Sequence, residues 1–471
     1  MKRYFLLLIL TLCYMHLTAQ NTASYPTYGG YTEYMQQTAS KHKDICRLDT
    51  IGTTYKGRLL LCLKITPPLK TATPRPKFFY CAAMHGNELT GAFMLMKMID
   101  SLVVNMQVFA DDTLFPEIYI CPFANPDGTW AAGDNDVKHS TRFNANLVDL
   151  NRNYPDIRAA GDDLSEVRQR ETQAFMDYQK KENFNLSCNL HTGSEVFNYP
   201  WDSYPSTEAT HADDAWFRHI GRTFFGSLND PDGHYFTTER PDGTVEGGDW
   251  YVIYGSRQDW STYYARCREI TLEVSNDYAV KESELEDYWH KIKDALFGMF
   301  DAFKYGFYGM VYNAVSSEVL QGVKVEVQDY DRMNSEIFTD AYGYYGRQLL
   351  EGTYTISFSK EGFYDTVITA ECYNGSAEKL DVYLTPKDVN IRQTEDIKVQ
   401  ISPVPCTDGI YVSSNATADC FVYDSRGVTV AQKRVNGGDN YINLQNIAAG
   451  VYTVTLFKDN KEIFSKRIIK N

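Results

Sequence analysis

His85-Gly-Asn-Glu88 sets an imidazole and a carboxylate three residues apart, a spacing at which one turn can bring both to a single ion, and a second imidazole, His191, closes an apolar run further along. Two His and one Glu with a fourth position left open form the ligand set of a catalytic rather than a structural zinc site. H-x-x-E recurs by chance in unrelated chains, so its surroundings must carry the weight. Glu273 lies near the end of Arg268-Glu-Ile-Thr-Leu-Glu-Val274. A carboxylate inside such an apolar run is costly unless it has a partner or a task. A cation that lowers the pKa of bound water toward ~7 and a carboxylate that takes the proton make a hydrolytic pair.

These side chains share a position: each sits at the end of a strand-like run. Lys77-Phe-Phe-Tyr-Cys-Ala-Ala83 leads into His85, Phe184-Asn-Leu-Ser-Cys-Asn-Leu190 into His191, and Arg268 to Val274 carries Glu273. Glu117-Ile-Tyr-Ile-Cys-Pro122 reads as a further strand, while Leu89 to Leu102, Glu166 to Lys181 and Glu282 to Phe303 read as helices. Alternation on this spacing predicts an α/β domain over 25–306, a mixed sheet flanked by helices. In open α/β sheets ligands bind beyond the carboxyl ends of the strands, where these residues stand.

After Tyr305 the character changes to short β-rich runs with turn signals, among them Val323 to Val327, Gly352 to Phe358 and Leu380 to Leu384. They predict a small all-β sandwich over 307–386. A polar linker over 387–396 and a second small β domain over 397–471, ending in Gly450-Val-Tyr-Thr-Val-Thr-Leu456 and Ile463 to Lys470, complete the expected organisation.

The chain opens with Lys2 and Arg3, an apolar run from Tyr4 to Leu12, and Leu17-Thr18-Ala19, the order of an export signal over 1–19. No later apolar stretch is expected to reach the ~20 residues that span a bilayer, so the protein is expected to be secreted or held at the cell surface without stable membrane insertion. A net charge of −15 argues against nucleic acid as a partner. Of ten cysteines one is in the signal; the other nine are scattered with no C-x-x-C pair, which excludes a cysteine metal site or a dense disulfide framework. Buried free thiols are expected at Cys81, Cys121 and Cys188. One or two disulfides stay open.

In order, the chain carries His85-Gly-Asn-Glu88, Asn125-Pro-Asp-Gly128, Arg142 to Asn146, Val148-Asp-Leu-Asn-Arg-Asn-Tyr-Pro155, Asn189-Leu-His-Thr-Gly-Ser194, Asn198-Tyr-Pro-Trp-Asp202, Tyr251, Gln258-Asp-Trp260 and Thr271-Leu-Glu-Val274. That succession resembles the funnelin-type metallocarboxypeptidases over about residues 25–385. It is closest to their N/E subfamily, which includes carboxypeptidases D, E, M and N. The resemblance implies the carboxypeptidase fold and one zinc ion held by His85, Glu88 and His191, with Glu273 as general base. It further implies that Arg142 polarises the scissile carbonyl, that Asn151 and Arg152 grip the C-terminal carboxylate of a peptide, and that Tyr251 closes over it. A guanidinium fork suits a carboxylate bidentately. Asp202 and Gln258 match the pocket in which this subfamily pairs a basic side chain, so release of C-terminal Lys or Arg is expected. The stretch 307–386 resembles the transthyretin-like, or regulatory-like, module of these enzymes. The stretch 397–471 resembles the sorting domain of type IX secretion substrates, and so implies that secretion machinery as a partner.

Two departures bear on specificity. Thr192-Gly193 stands where the subfamily usually has Gly-Gly, and Gly255-Ser-Arg-Gln258 where it has Gly-Gly-Met-Gln. Turned inward, the Arg257 guanidinium would oppose a basic substrate. The alternatives are a metallopeptidase for cell-wall peptides or non-basic C-termini, disfavoured by Asp202, and an inactive peptide-binding homologue, whose mark would be a missing ligand or base.

Overall fold

Strand-length runs between Cys46 and Ser275 become the strands of one sheet: β1 (Cys46–Thr53), β2 (Leu59–Ile65), β3 (Lys77–Ala82), β4 (Glu117–Cys121), β5 (Leu186–His191), β6 (Ser194–Tyr199), β7 (Thr244–Glu246) and β8 (Arg268–Ser275). Their spatial order is β1-β2-β4-β3-β5-β8-β6-β7. The four central strands β4, β3, β5 and β8 run parallel, while β1, β2 and β6 pair antiparallel around them. The computed structural model describes residues 24–68, 74–159, 167–387, 398–458 and 461–471. The export signal expected over 1–19 lies outside them, as does the expected linker beyond residue 387.

Alternate residues of a strand face opposite ways, and β3 shows what each face buries. Phe78, Tyr80 and Ala82 join a core with α1 (Tyr28–Lys41), α2 (Thr90–Asn105) and two later helices. Phe79 and Cys81 join a second core with α3 (Arg170–Glu182). The remaining longer helices are α4 (Asp214–Phe225), α5 (Arg257–Tyr263) and α6 (Leu285–Gly298); α4 and α6 pack on the first face and α5 on the second. Covered on both faces, β5 and β8 are buried throughout even though polar residues alternate with apolar ones along them. The helix expected over Glu282 to Phe303 is α6 with a tighter 3-10 turn at each end, Glu282–Glu284 and Met299–Lys304. One apolar stretch does reach bilayer length, contrary to expectation: Thr90–Phe109 spans 20 residues. It contains α2, most of which is buried in the core on the first face of the sheet.

From Phe307 to Leu384 short strands form two sheets that share one core, built around Val311, Val325, Ile356, Phe358 and Leu384. This module belongs to the same compact unit as the large sheet. Buried ionised groups from both sides meet at their junction. Asp213 accepts from Arg268, at the start of β8, and from Arg347 of the module, each at 2.8 Å; Arg347 also pairs with Asp331. Burial drives the adjacent His211 down to about 3, so it is neutral there. Residues 398–471 belong to a separate unit: a three-stranded and a four-stranded sheet around Ile410, Val412, Val422, Val454 and Ile468. The nine described cysteines are free and buried.

Candidate active site

The turn after β3 brings His85 and Glu88 to the carboxyl end of the sheet, and β5 ends on His191. The turn is braced by the Asn125-Pro-Asp-Gly128 segment, where Asn125 donates to the Met84 carbonyl and caps Gly128. Glu88 lies between the imidazoles, its Oε1 2.7 Å from His85 Nδ1 and its Oε2 2.8 Å from His191 Nδ1. The two Nδ1 atoms are 3.2 Å apart. Nitrogens facing one another this closely need a proton or a cation between them, and all the candidate ligand atoms lie within 4.8 Å of each other. The far nitrogens are held from outside: His85 Nε2 lies 3.1 Å from Asp149 Oδ1, and His191 Nε2 lies 2.8 Å from the Asn189 amide. The atom placed there is Nδ2; with the side-chain amide flipped, Oδ1, which has no partner among the described residues, accepts Nε2–H. Outer partners of this kind fix the imidazole tautomer so that Nδ1 presents its lone pair inward. The donor set therefore fits a zinc ion.

Charge is distributed to match. Burial alone would raise the Glu88 carboxyl, but His85 and His191 hold it well below the usual carboxylate range. Burial likewise opposes ionisation of Asp149, and His85 and Arg142 outweigh it. Glu273 sits beside His191 in the register of β8 and β5. Burial, reinforced by the Glu88 charge, pushes its carboxyl up to about 8, and its Oε2 meets no hydrogen-bond partner among the described residues.

A cavity of about 260 Å³ opens over this cluster, and every residue singled out from the sequence lines it except Gln258. Arg142 is oriented by Asp149 Oδ2 at 2.9 Å and approaches Glu88 at 3.5 Å. Asn151 is buried, with its Oδ1 accepting from the Arg257 amide at 2.9 Å. Arg152 is exposed and donates to the Asn151 carbonyl at 2.8 Å. Tyr251 stands half exposed at the rim. Asp202 is buried at the far side of the cavity, and burial raises its carboxyl from 3.8 to about 6. Its Oδ1 accepts from Gln258 Nε2 at 2.8 Å and Asn198 Nδ2 at 3.4 Å. A Cβ at Gly247 would run into that oxygen, so this wall admits only glycine.

Gln258 thus supports Asp202 from behind and is not itself among the residues that line the cavity. The concern over Arg257 is removed. Its guanidinium lies under the sheet, wholly buried, 3.2 Å from Glu269 and stacked over Phe79 and Phe175. Asp149 and Asn189 went unassigned in the sequence. A signal existed for each: a ligating histidine needs a partner on its second nitrogen, and Asn189, two residues before His191, shares its face of β5.

The sheet order, the paired histidines around Glu88 and the carboxylate beside them define a metal-dependent hydrolase of the carboxypeptidase fold. The zinc carboxypeptidase (peptidase M14) family model matches residues 31–295, more than half of the chain, and the protein belongs to that family. A carboxypeptidase regulatory-like domain matches residues 306–385 and a secretion system C-terminal sorting domain matches residues 400–471. The chain is 32% identical to carboxypeptidase M of Mus musculus over 363 residues, 74% of this chain and 81% of that protein. It is 30% identical to the carboxypeptidase N catalytic chain of Mus musculus, over 69% of this chain and 78% of that one. Against carboxypeptidase D of Anas platyrhynchos the identity is 29%, over 79% of this chain and 27% of that protein. In fold it resembles the crystal structure of thrombin activatable fibrinolysis inhibitor, with a TM-score of 0.50 and 15% identity over 62% of this chain and 77% of that one. Members of the family work with zinc, and it is an enzyme family of exopeptidase type.

Proposed function

We propose that this zinc carboxypeptidase releases Lys or Arg from the C-termini of peptides outside the cell. The observation that carries the reading is Asp202, a buried carboxylate on the cavity wall that forms no salt bridge among the described residues. An ionised group held there without a counter-charge is costly, and an incoming ammonium or guanidinium relieves that cost. The cavity is below the ~300–1,000 Å³ of typical small-molecule sites and suits about one amino-acid residue.

In this reading His85, Glu88 and His191 hold zinc, which when bound polarises the scissile carbonyl and acidifies water. Glu273 accepts the proton of the attacking water at its free Oε2 and returns it to the departing amine. Arg142, held by Asp149, faces the charge that grows on the carbonyl oxygen. Asn151 and Arg152 bind the terminal carboxylate and Tyr251 closes over it. The domain division that accompanies this reading is a catalytic domain over 25–306, a supporting module over 307–386 and a sorting domain over 397–471. The last, with the export signal, directs the protein outward through secretion machinery.

Dansylated peptides ending in Arg, Lys, Glu or Phe, assayed with and without a chelator, test the proposal. Chelator-sensitive turnover favouring Arg and Lys is expected. Turnover indifferent to the chelator removes the zinc assignment, and preference for Phe or Glu removes the basic specificity.

A further inference from the structure

The first turn of α5 touches both halves of the recognition apparatus without lining the cavity. Ser256 caps it, accepting from the Asp259 amide at 3.2 Å. Arg257 gives its backbone N–H to Asn151, and Gln258 gives its side-chain amide to Asp202. Asp259 does more: its Oδ1 accepts from the Asp202 amide at 2.7 Å, and its Oδ2 accepts from the Ser203 amide at 2.9 Å and the Ser203 hydroxyl at 2.6 Å. Asp259 is 3% exposed and Ser203 1%, so water does not compete for these bonds.

A carboxylate that accepts from the amides of two successive residues fixes the peptide planes on either side of the first residue's Cα, and with them the direction of the side chain that this Cα carries. The side chain so fixed is Asp202. We infer that Asp259 is the positioning residue for substrate selection, aiming Asp202 into the cavity through the 202–203 backbone, with the turn of α5 as a common base for the residues that meet the two ends of the departing amino acid. This rests on the reading of Asp202 given above. Asp259 itself touches no substrate.

An asparagine at 259 has one accepting oxygen, so Asp259→Asn must lose one of the two amide bonds while nearly preserving volume. Ser203→Ala removes only the hydroxyl bond. Purified full-length enzyme, loaded with zinc, is assayed on dansylated peptides ending in Arg and in Phe. Asp259→Asn is expected to lower kcat/KM for the Arg peptide by about tenfold, mainly through KM, with the Phe peptide changed less than about twofold. Ser203→Ala should move the same ratio in the same direction by a smaller factor. Combined with Asp202→Asn, Asp259→Asn should add no further loss of Arg selectivity, since both act through one carboxylate.

Parallel losses on both peptides, or additive losses in the double variant, would overturn the inference while leaving the role of Asp202 intact. Should Asp202→Asn itself lose no selectivity for Arg, the basic specificity fails and the positioning role falls with it. If Asp259→Asn does not fold, Ser203→Ala decides: an unchanged Arg-to-Phe ratio overturns the inference.

Discussion

Replacing Asp202 by Asn removes the charge at the cavity wall and keeps an oxygen that can accept from Gln258 Nε2. The size of the effect follows from how uncomfortable the carboxylate is in the free enzyme. Its rise from 3.8 to about 6 amounts to about 3 kcal/mol held against the ionised form. A substrate cation that relieves this penalty on binding gains about the same amount, or roughly a hundredfold in kcat/KM. That agrees with the ~2–5 kcal/mol lost when one member of a buried, hydrogen-bonded charge pair is truncated. Asp202→Asn should therefore reduce kcat/KM for a C-terminal Arg peptide about a hundredfold, leave a Phe peptide within about threefold, and keep the circular dichroism spectrum and Tm near those of the parent. An equal fall on both peptides would mean that Asp202 only holds its loop together, and the reasoning from its burial would be refuted.

The same carboxyl sets a pH dependence. Because its pKa is raised, it is charged above about 6 and neutral below, so selectivity for Arg over Phe should be full near pH 7.5 and about tenfold lower at pH 5, read as a ratio of kcat/KM values in which groups common to both substrates cancel. A peptide ending in Arg-amide should be a poor substrate, and Arg152→Lys should weaken the free-acid peptide chiefly in KM, since an ammonium cannot reproduce the guanidinium fork. Arg347→Met leaves Asp331 unpaired and Asp213 with Arg268 alone; breaking a buried ion cluster in this way should cost about 3–5 kcal/mol, measurable by chemical denaturation.

The residues proposed to touch the reaction could be picked out in the sequence because they stand at the ends of strand-like runs, which are easy to see. His85, Glu88, His191 and Glu273 meet where the sheet topology requires, and the succession of short motifs pointed to the same family that the comparisons show. Which way Arg257 and Gln258 point could not be read from the sequence, for a reason of phase. Two neighbours on a helix point about 100° apart, and which of them meets the cavity depends on how α5 lies against β8, a tertiary fact with no local signature. Arg257 goes under the sheet, where Phe79 and Phe175 cover it. The pairing of Asp213 with Arg347 links residues 134 positions apart and left no trace in either segment. Strand β6 was also unforeseen; its buried Ser194, Glu195 and Asn198 make it less apolar than its buried setting would predict.

The junction between the large sheet and the module beside it has a consequence for anyone who would recombine this enzyme. Asp213 and Arg268 come from one side, Asp331 and Arg347 from the other, and each is charged and shut away from water. A catalytic domain transplanted without its module would open that seam, break the Asp213–Arg347 pair that crosses it and expose an Asp–Arg pair on each surface. A module borrowed from a relative would need the matching Asp and Arg at the same points. Chimeras that move the two domains as a single cassette, cut after Thr385, should express and fold; those cut at residue 306 should not, unless all four positions travel together.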